Sequence, residues 1–327
     1  MLVREKVIKA ILDSGENFMS GEQLSKKLGI SRTAVWKHIN ALREEGYNIE
    51  SVNKKGYRLI EKPDDILSSE NIAHNLPTEF IGKKVIHLDT VGSTNDYAKE
   101  IGNKVSGGTL IISEQQTKGK GRLGRVWKSK SGDGIWMSLI IKPKIEPYKA
   151  PFLTLVAGAS VVKALSNLDV EASIKWPNDI IVHNKKICGI LTELSAEMER
   201  VNYVVIGIGI NIKTIDFPDE IKEKATSLYK EGYKLSRVDI VRQFCIEFEK
   251  LYKGYILDGN KQDTLELCRK YSAIIGKQVY VIKNNKRELV KCIDINENGN
   301  LIVKEKNGEI QEIMSGEVSI RGVKGYV

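Results

Sequence analysis

Apolar residues in positions 3–14 fall at Val3, Val7, Ile8, Ile11 and Leu12, one face of a helix. Ser20-Gly21-Glu22 opens a second, short helix with Leu24 and Leu28 inward, and Gly29 breaks it. Ser31 suits the N-cap of a third helix running to about Glu45, with Val35, Ile39 and Leu42 on its buried face. Helix, glycine-containing turn, helix is the helix-turn-helix pattern. Strands at 48–52 and 57–60, joined by the turn Asn53-Lys54-Lys55-Gly56, add a wing. Glu61-Lys62-Pro63-Asp64-Asp65 reads as a linker.

Downstream the pattern changes. Strands are expected at 84–89, 109–114, 135–141, 187–194 and 203–210. A helix starts near Asn95, and an apolar helix at 150–167 packs on the sheet. A strand across 174–179 carries Pro177, which suggests a bulge or an edge. Helices at 237–255 and 261–271 precede short strands at 277–283, 288–295, 301–305 and 309–313. Short strands with tight Asn-Gly turns suggest a small barrel. The expectation is an α+β multidomain chain divided as 1–63, 64–271 and 272–327.

Charge changes the picture at the N-terminus. The chain carries a net +9, which calls for an anionic partner without naming it. Residues 1–63 hold twelve Lys and Arg against eight Asp and Glu. Ser31, Arg32, Thr33, Lys37, Asn40 and Arg43 lie along the expected recognition helix, where base edges and phosphates would meet them. Lys54, Lys55 and Arg58 would grip the backbone beside it. A winged-helix interaction module with a solvated basic face is the alternative. The coincidence of the cations with the groove-entering helix favours DNA. Trp36 reads either as core edge or as an exposed contact.

Four cysteines, Cys188, Cys245, Cys268 and Cys292, lie far apart, so no structural zinc or other metal site is expected. The start, Met1-Leu2-Val3-Arg4-Glu5-Lys6, has no signal-peptide pattern, and no stretch reaches membrane-spanning length. A cytoplasmic protein with reduced thiols, off the membrane, is the expectation.

The densest chemistry is Gly119-Lys120-Gly121-Arg122-Leu123-Gly124-Arg125, followed by Val126-Trp127. Glycines let backbone amides approach a ligand, and the cations suit a phosphate or carboxylate. The spacing matches the dinucleotide fingerprint, but the following residues read as loop rather than the helix that fingerprint requires. A solvated basic hairpin is the plainer alternative. Ser93 and Thr94 read as helix caps or as ligands for a polar group at a helix start. Gly207 and Gly209 share one strand face, and Gly189 leaves room on another. There is no P-loop, no Ser/His/Asp or Cys/His arrangement, and only four histidines. What remains is chemistry by positioning and charge, with Lys120, Arg122, Arg125 and Lys186 around an anionic reactant.

Five motifs stand in one order: Gly92-Ser93-Thr94-Asn95; Gln116 with the glycine-basic loop to Trp127; Lys175-Trp176-Pro177-Asn178-Asp179; Lys186-Ile187-Cys188-Gly189-Ile190-Leu191; and Gly207-Ile208-Gly209-Ile210-Asn211. The set resembles the biotin–protein ligase family and, with the winged helix in front, its bifunctional ligase and biotin-operon repressor branch. The resemblance covers essentially the whole chain. It implies a central mixed-sheet biotin/lipoate-ligase-like domain and an SH3-like C-terminal domain. It implies ATP and biotin as substrates, magnesium with the ATP, and a biotinyl-5′-adenylate intermediate. The biotin carboxyl carrier protein would supply the acceptor lysine. The adenylate would promote a homodimer that binds operator DNA.

Carried over by motif, Ser93, Thr94, Asn95 and Gln116 would lie around the biotin ureido ring. Gly119, Lys120, Gly121 and Arg122 would close over the valeryl tail and phosphate, and Gly189 and Gly207 would floor the pocket. Lys186 would meet carboxylate and α-phosphate. Arg122, Arg125, Trp127, Asn211 and Arg321 would lie near the nucleotide, although Arg321 reads equally as a surface residue. Asp179 would accept a proton from the acceptor lysine or help place magnesium. Two departures stand out. Lys120 and Leu123 lower the charge of an arginine-rich loop. Ala225-Thr226-Ser227-Leu228 falls where some relatives cover adenine with tryptophan. A lipoate or octanoate ligase and a non-enzymatic, acid-sensing regulator are the rival readings.

Overall fold

The structure, a computed structural model, describes residues 3–44, 46–61, 65–283, 286–315, 319–323 and 325–327. The expected helix end at Glu45, linker residues 62–64 and residues 316–318 before Arg321 lie outside these. The chain forms two compact units, Met1–Leu76 and Pro77–Val327.

The first unit contains α1 (Val3–Asp13), α2 (Gly21–Leu28), α3 (Arg32–Glu44), β1 (Asn48–Val52), β2 (Gly56–Glu61) and α4 (Ser69–Ala73). Ser20 and Gln23 form a capping box, and Gly29 ends α2 at φ 68°. Ser31 Oγ accepts the Ala34 N–H at 3.1 Å and so caps α3. β1 and β2 pair antiparallel as the wing. Gly56, at φ 110°, lies so close to Met19 that a Cβ would strike its backbone. Met19 and Tyr57 exchange two 2.9 Å backbone hydrogen bonds there. Val7, Ile11, Leu24, Val35, Ile39 and Leu42 form the core. The unit continues past the expected boundary at 63. Asn71 Nδ2 donates to Tyr47 Oη at 3.2 Å and to the Ile66 carbonyl at 3.1 Å, which fastens α4 to this core. No periodic signal had marked so short a helix.

The second unit holds β3 (Val85–Val91), α5 (Thr94–Ile101), β4 (Thr109–Gln116), β5 (Gly134–Ile141), α6 (Phe152–Ser166), β6 (Ser173–Lys175), β7 (Asp179–Val182), β8 (Lys185–Ala196), β9 (Val201–Asn211), α7 (Arg237–Leu257) and α8 (Gln262–Lys270). The sheet order is β3-β4-β5-β9-β8-β7-β6, with β3–β4 parallel and the other neighbours antiparallel. β5 is buried throughout, which is why its sequence is a continuous apolar run. Residues 147–166 are long and apolar enough to cross a membrane by composition, but 72% of that stretch is buried in the unit. A helix apolar all round is then a core helix.

The expected strand at 174–179 is two strands. Lys175 pairs with Asp179 across a hairpin whose turn is Trp176-Pro177-Asn178, with a cis Trp176-Pro177 bond. Proline has no N–H for the ladder, so the strand ends there. C-terminal strands β10 (Gln278–Lys283), β11 (Lys286–Ile295), β12 (Leu301–Lys304), β13 (Ile310–Ile313) and β14 (Ser319–Gly322) form an antiparallel sheet in the order β13-β12-β11-β10-β14. β14 was not expected. The sheet belongs to the second compact unit, and the Gly299 carbonyl between β11 and β12 accepts Trp176 Nε1 at 3.0 Å.

Glu249 on α7 fixes the start of this unit. Its buried carboxylate accepts the N–H groups of Glu79, Phe80 and Ile81 at 2.6, 2.9 and 2.9 Å. Burial alone would raise its pKa, but these donors and Lys253 hold it below the ordinary value. Stability from this clasp is therefore complete above about pH 4.3 and is lost as pH falls through the lower folded value. Glu249→Ala should lower unfolding stability of the second unit by about 2–4 kcal/mol at neutral pH, read by denaturant melts. The deficit should shrink in acid.

Candidate active site and nucleic-acid face

The glycine-basic loop is a small hairpin. Gly121 N–H donates to the Arg125 carbonyl at 2.7 Å and Trp127 N–H to the Gly119 carbonyl at 2.9 Å. A Cβ on Gly119 would stand 2.9 Å from Ser129 Oγ, so only glycine fits. The tip is a single 3-10 turn, Arg122–Gly124, with Leu123 at φ 56°; the helix a dinucleotide fingerprint needs is absent there. Three contacts hold the hairpin down. Lys120 Nζ lies 2.6 Å from Asp96 Oδ2 on α5. Arg122 Nη1 donates to Asn178 Oδ1 at 2.7 Å, and Nη2 donates to the Ser315 carbonyl at 2.6 Å. Burial, helped by Arg125, lowers the Arg122 pKa against the pull of Asp179.

Beneath the hairpin, register places Gly189 of β8 directly opposite Gly209 of β9. The missing side chains leave a flat seat, and the Trp127 indole fills it. A Cβ on Gly209 would stand 2.7 Å from Trp127 Nε1, and one on Gly189 2.8 Å from its ring. Trp127 Nε1 is buried without a hydrogen-bond partner among the described residues. Gly207 serves a different purpose: a Cβ there would strike Asn95 Oδ1. Asn95 is held in a polar knot. Its Oδ1 accepts Ser138 Oγ at 2.6 Å, and its Nδ2 donates to Glu193 Oε2 at 2.8 Å and the Leu191 carbonyl at 3.3 Å. Asn95 and Gly207 thus lie against each other, and both line the hollow formed with Ser93, Thr94 and Gln116. Thr94 N–H and Oγ1 donate to Gln116 Oε1 at 2.8 and 3.1 Å, and Gln116 Nε2 donates to Ser129 Oγ at 2.8 Å. Ser93 is buried and its hydroxyl does not cap α5. Ser93, Thr94, Gln116, Lys120, Gly121 and Gly189 line a hollow of about 50 Å³.

A larger cleft, about 380 Å³, adjoins it across Trp127, Arg122 and Lys186, which line both. Arg125, Asp179, Asn211 and Arg321 come together there, as expected. Lys186 Nζ lies 2.5 Å from Asp179 Oδ1 and 5.1 Å from the centroid of the Trp127 ring. Asn211 Nδ2 donates to the Thr226 carbonyl at 3.1 Å. Lys186 N–H donates to the Lys224 carbonyl at 2.8 Å, and its carbonyl accepts Thr226 N–H at 2.9 Å. These bonds bring Ala225 to the cleft wall, beside Phe217 and Ile221, where a bulkier aromatic was thought missing.

Lys175 and Tyr326 were missed. Lys175 is 3% exposed, donates from Nζ to the Tyr326 carbonyl at 2.7 Å, and lies 3.4 Å from the centroid of that ring. Burial pulls its pKa down to about 7, with Arg321, Lys186 and Arg125 adding to the fall and Asp179 opposing it. Tyr326 Oη donates to Asp179 Oδ2. Burial would raise the Asp179 carboxyl, but Lys186, Tyr326 and Lys175 together hold it below its ordinary value. The available signal was a lysine between Ile174 and Trp176 in an apolar strand.

In the first unit, Ser31, Arg32, Thr33, Lys37, Lys54 and Lys55 are exposed, as is Trp36 at 54%. Arg43 departs from expectation. Its guanidinium donates to the Ile49 carbonyl at 3.0 and 2.6 Å, to Ser51 Oγ at 2.6 Å and to Asn40 Oδ1 at 3.3 Å, fastening α3 to the wing. Arg43 and Asn40 thereby satisfy each other. Arg58 pairs with Glu50 at 2.7 Å over the Phe18 ring.

Three sequence profiles match the chain in order. An HTH domain covers residues 3–58, the Biotin/lipoate A/B protein ligase family 88–211, and the Biotin protein ligase C terminal domain 274–321. The bifunctional ligase/repressor BirA of Bacillus subtilis is 42% identical over 97% of this chain and 98% of its own length. The chain belongs to the BirA family of bifunctional ligase/repressors. BirA of Escherichia coli is 31% identical over 96% of each chain. The structure of biotin protein ligase from Aquifex aeolicus in complex with biotin and ATP superposes with a TM-score of 0.64 at 32% identity, covering 73% of this chain and 99% of that one. BirA-family membership accounts for both the winged helix and the glycine-basic hairpin on one chain. Gly209→Ala should displace Trp127 from its seat and weaken biotin binding at least about tenfold by calorimetry, with little change in melting temperature. Parental affinity would show that the seat is not part of the biotin site.

Proposed function

We propose that the chain is an ATP-dependent biotin–protein ligase that also represses transcription of biotin genes, with biotinyl-5′-adenylate as product and corepressor. The observation that carries this reading is the meeting of a glycine-floored hollow with a cationic cleft at Arg122 and Lys186. A flat bicyclic urea suits the Gly189–Gly209 seat once Trp127 shifts to cover it. The larger cleft suits a nucleotide, with Phe217, Ile221 and Ala225 as apolar wall. The fit favours biotin over octanoate, which has no ring to lie on the seat, and over lipoate, whose dithiolane ring lacks the urea groups that Ser93, Thr94 and Gln116 could meet. Product mass after supplying each acid with ATP and a carrier domain separates these.

In the first step a carboxylate oxygen of biotin attacks the α-phosphorus of ATP. The bond to the β-phosphate bridging oxygen breaks and pyrophosphate leaves. Two anions must meet, so the site's work is to offset repulsion and the charge of the transition state. Lys186 would meet carboxylate and α-phosphate, while Arg122, Arg125 and Arg321, which line the larger cleft, would face the nucleotide. Arg122 and the hairpin retain the adenylate and exclude water. In the second step a lysine amine of the biotin carboxyl carrier protein attacks the mixed anhydride, AMP leaves and the amine gives up a proton. Asp179, held low by its cations, is a weak acceptor for that proton. Among the described residues no three His, Cys, Asp or Glu groups converge, which does not suit a protein-built magnesium cage. We take magnesium to enter bound to ATP phosphates, as the MgATP substrate.

Repression follows from the winged helix. Exposed Arg32, Thr33, Lys37, Lys54 and Lys55 would meet operator DNA, with Trp36 beside them. Ordering of the hairpin by adenylate would favour a homodimer that presents two heads to a palindrome. This activity belongs in the cytoplasm, where ATP, carrier protein and DNA are all present.

Lys186→Ala should cut pyrophosphate release with biotin and ATP by about a hundredfold or more while the protein stays folded. Parental turnover would remove Lys186 from the mechanism. Operator binding measured by gel shift should weaken about a hundredfold per head between about 50 and about 200 mM salt, as expected for four phosphate contacts. Adenylate synthesis should change far less. Salt-insensitive binding would refute the assigned basic face.

A further inference from the structure

Tyr326 stands apart from the motifs that mark the site, yet it closes a wall of the cleft. The tail reaches back because Gly322, at the end of β14, has no side chain: a Cβ there would strike the Val327 backbone. Gly325, at φ 89°, then turns the chain inward. The Tyr326 ring lies against Lys175, its carbonyl accepts Lys175 Nζ, and its hydroxyl donates to Asp179 Oδ2. Asp179 Oδ1 faces Lys186. One carboxylate is thus gripped from two sides, by a tyrosine on one oxygen and a lysine on the other.

We propose that Tyr326 is a positioning residue for adenylate formation. It fixes the orientation of Asp179, and Asp179 in turn fixes the Lys186 ammonium where biotin's carboxylate and the α-phosphate meet. A carboxylate held by Lys186 alone can rotate about its χ2 and carry the ammonium with it; among the described residues Tyr326 supplies the hydrogen bond to its other oxygen. The Tyr326 hydroxyl supplies that second point. Lys175 holds the tyrosine by its backbone, so the chain runs from Lys175 through Tyr326 and Asp179 to Lys186. Misplacing one charge by a fraction of a bond length costs rate rather than affinity, since the ammonium matters most when charge develops.

This inference rests on the adenylation reading, and the test separates the two. The full chain is given biotin and MgATP, and pyrophosphate release is followed. No release from the parent protein refutes the reading itself. With the parent active, Tyr326→Phe, which keeps the ring and the carbonyl, should lower kcat about tenfold while the biotin KM stays within about twofold. In an Asp179→Asn background the same substitution should change kcat by less than about twofold, because the two residues act as one unit. Lys175→Met, which frees the tail and leaves Asp179 and Lys186 in place while removing one charge near Asp179, should reproduce the kcat loss and covers the case in which Tyr326→Phe folds poorly. Parental kcat in Tyr326→Phe, an equal loss in both backgrounds, or a rise in biotin KM alone would overturn the proposal.

Discussion

Like charges gathered at one wall repel, and the cleft of this protein gathers Arg122, Lys175, Lys186 and Arg321. The counter-charge at their centre is Asp179, ion-paired to Lys186 and hydrogen-bonded by Tyr326. In a partly dry cleft such a carboxylate does two opposite things. It allows cations to be stored close together before any substrate arrives, and it leaves them short of neutralisation, so that two anionic reactants are still welcome. Lys175 shows how close the balance runs: burial, with those cations beside it, pulls the pKa of its amine down to about 7.

The second constraint is space. The seat at Gly189 and Gly209 exists because two glycines on neighbouring strands fall opposite one another. Trp127 fills that seat and faces both hollows, so the indole occupies ground that a bound bicycle would claim. Its Nε1, without a hydrogen-bond partner among the described residues, marks a site that is polar at one point. The hairpin carrying Trp127 is held down along its first limb and tip, by Lys120 on Asp96 and by Arg122 on Asn178 and the Ser315 carbonyl. Those are side-chain contacts, which can be exchanged for ligand contacts without unfolding a strand.

Much of this was legible in the sequence because it is local. Apolar spacing gave the three helices of the head, and alternating turns gave the wing and the C-terminal strands. The loop motif announced its own charge and its close backbone turns. What could not be read depended on pairings across long stretches of chain. Lys175 looked like one more strand residue until Tyr326, 151 positions later, came to lie on it. Arg43 looked like a DNA contact because its spacing on α3 is right, but the wing's first strand offers the Ile49 carbonyl as a nearer acceptor. Gly207 looked like pocket floor, and only the fold revealed that it lines the hollow while also making room for Asn95. Spacing identifies a face; it does not say what stands on that face.

The C-terminal sheet is joined to the cleft in an unusual grammar. Trp176 reaches the carbonyl of Gly299, Arg122 that of Ser315, and Lys175 that of Tyr326. Each of these three joints ends on a main-chain oxygen, which every amino acid possesses. The bonds themselves ask only for a backbone path, while identity enters through space and side chains: Gly299, at φ 82°, has Leu155 where a Cβ would stand, and Tyr326 adds its hydroxyl on Asp179. A change of side chain at Ser315 would leave its joint in place, whereas one at Gly299 or Tyr326 would also disturb the packing on Leu155 or the hold on Asp179.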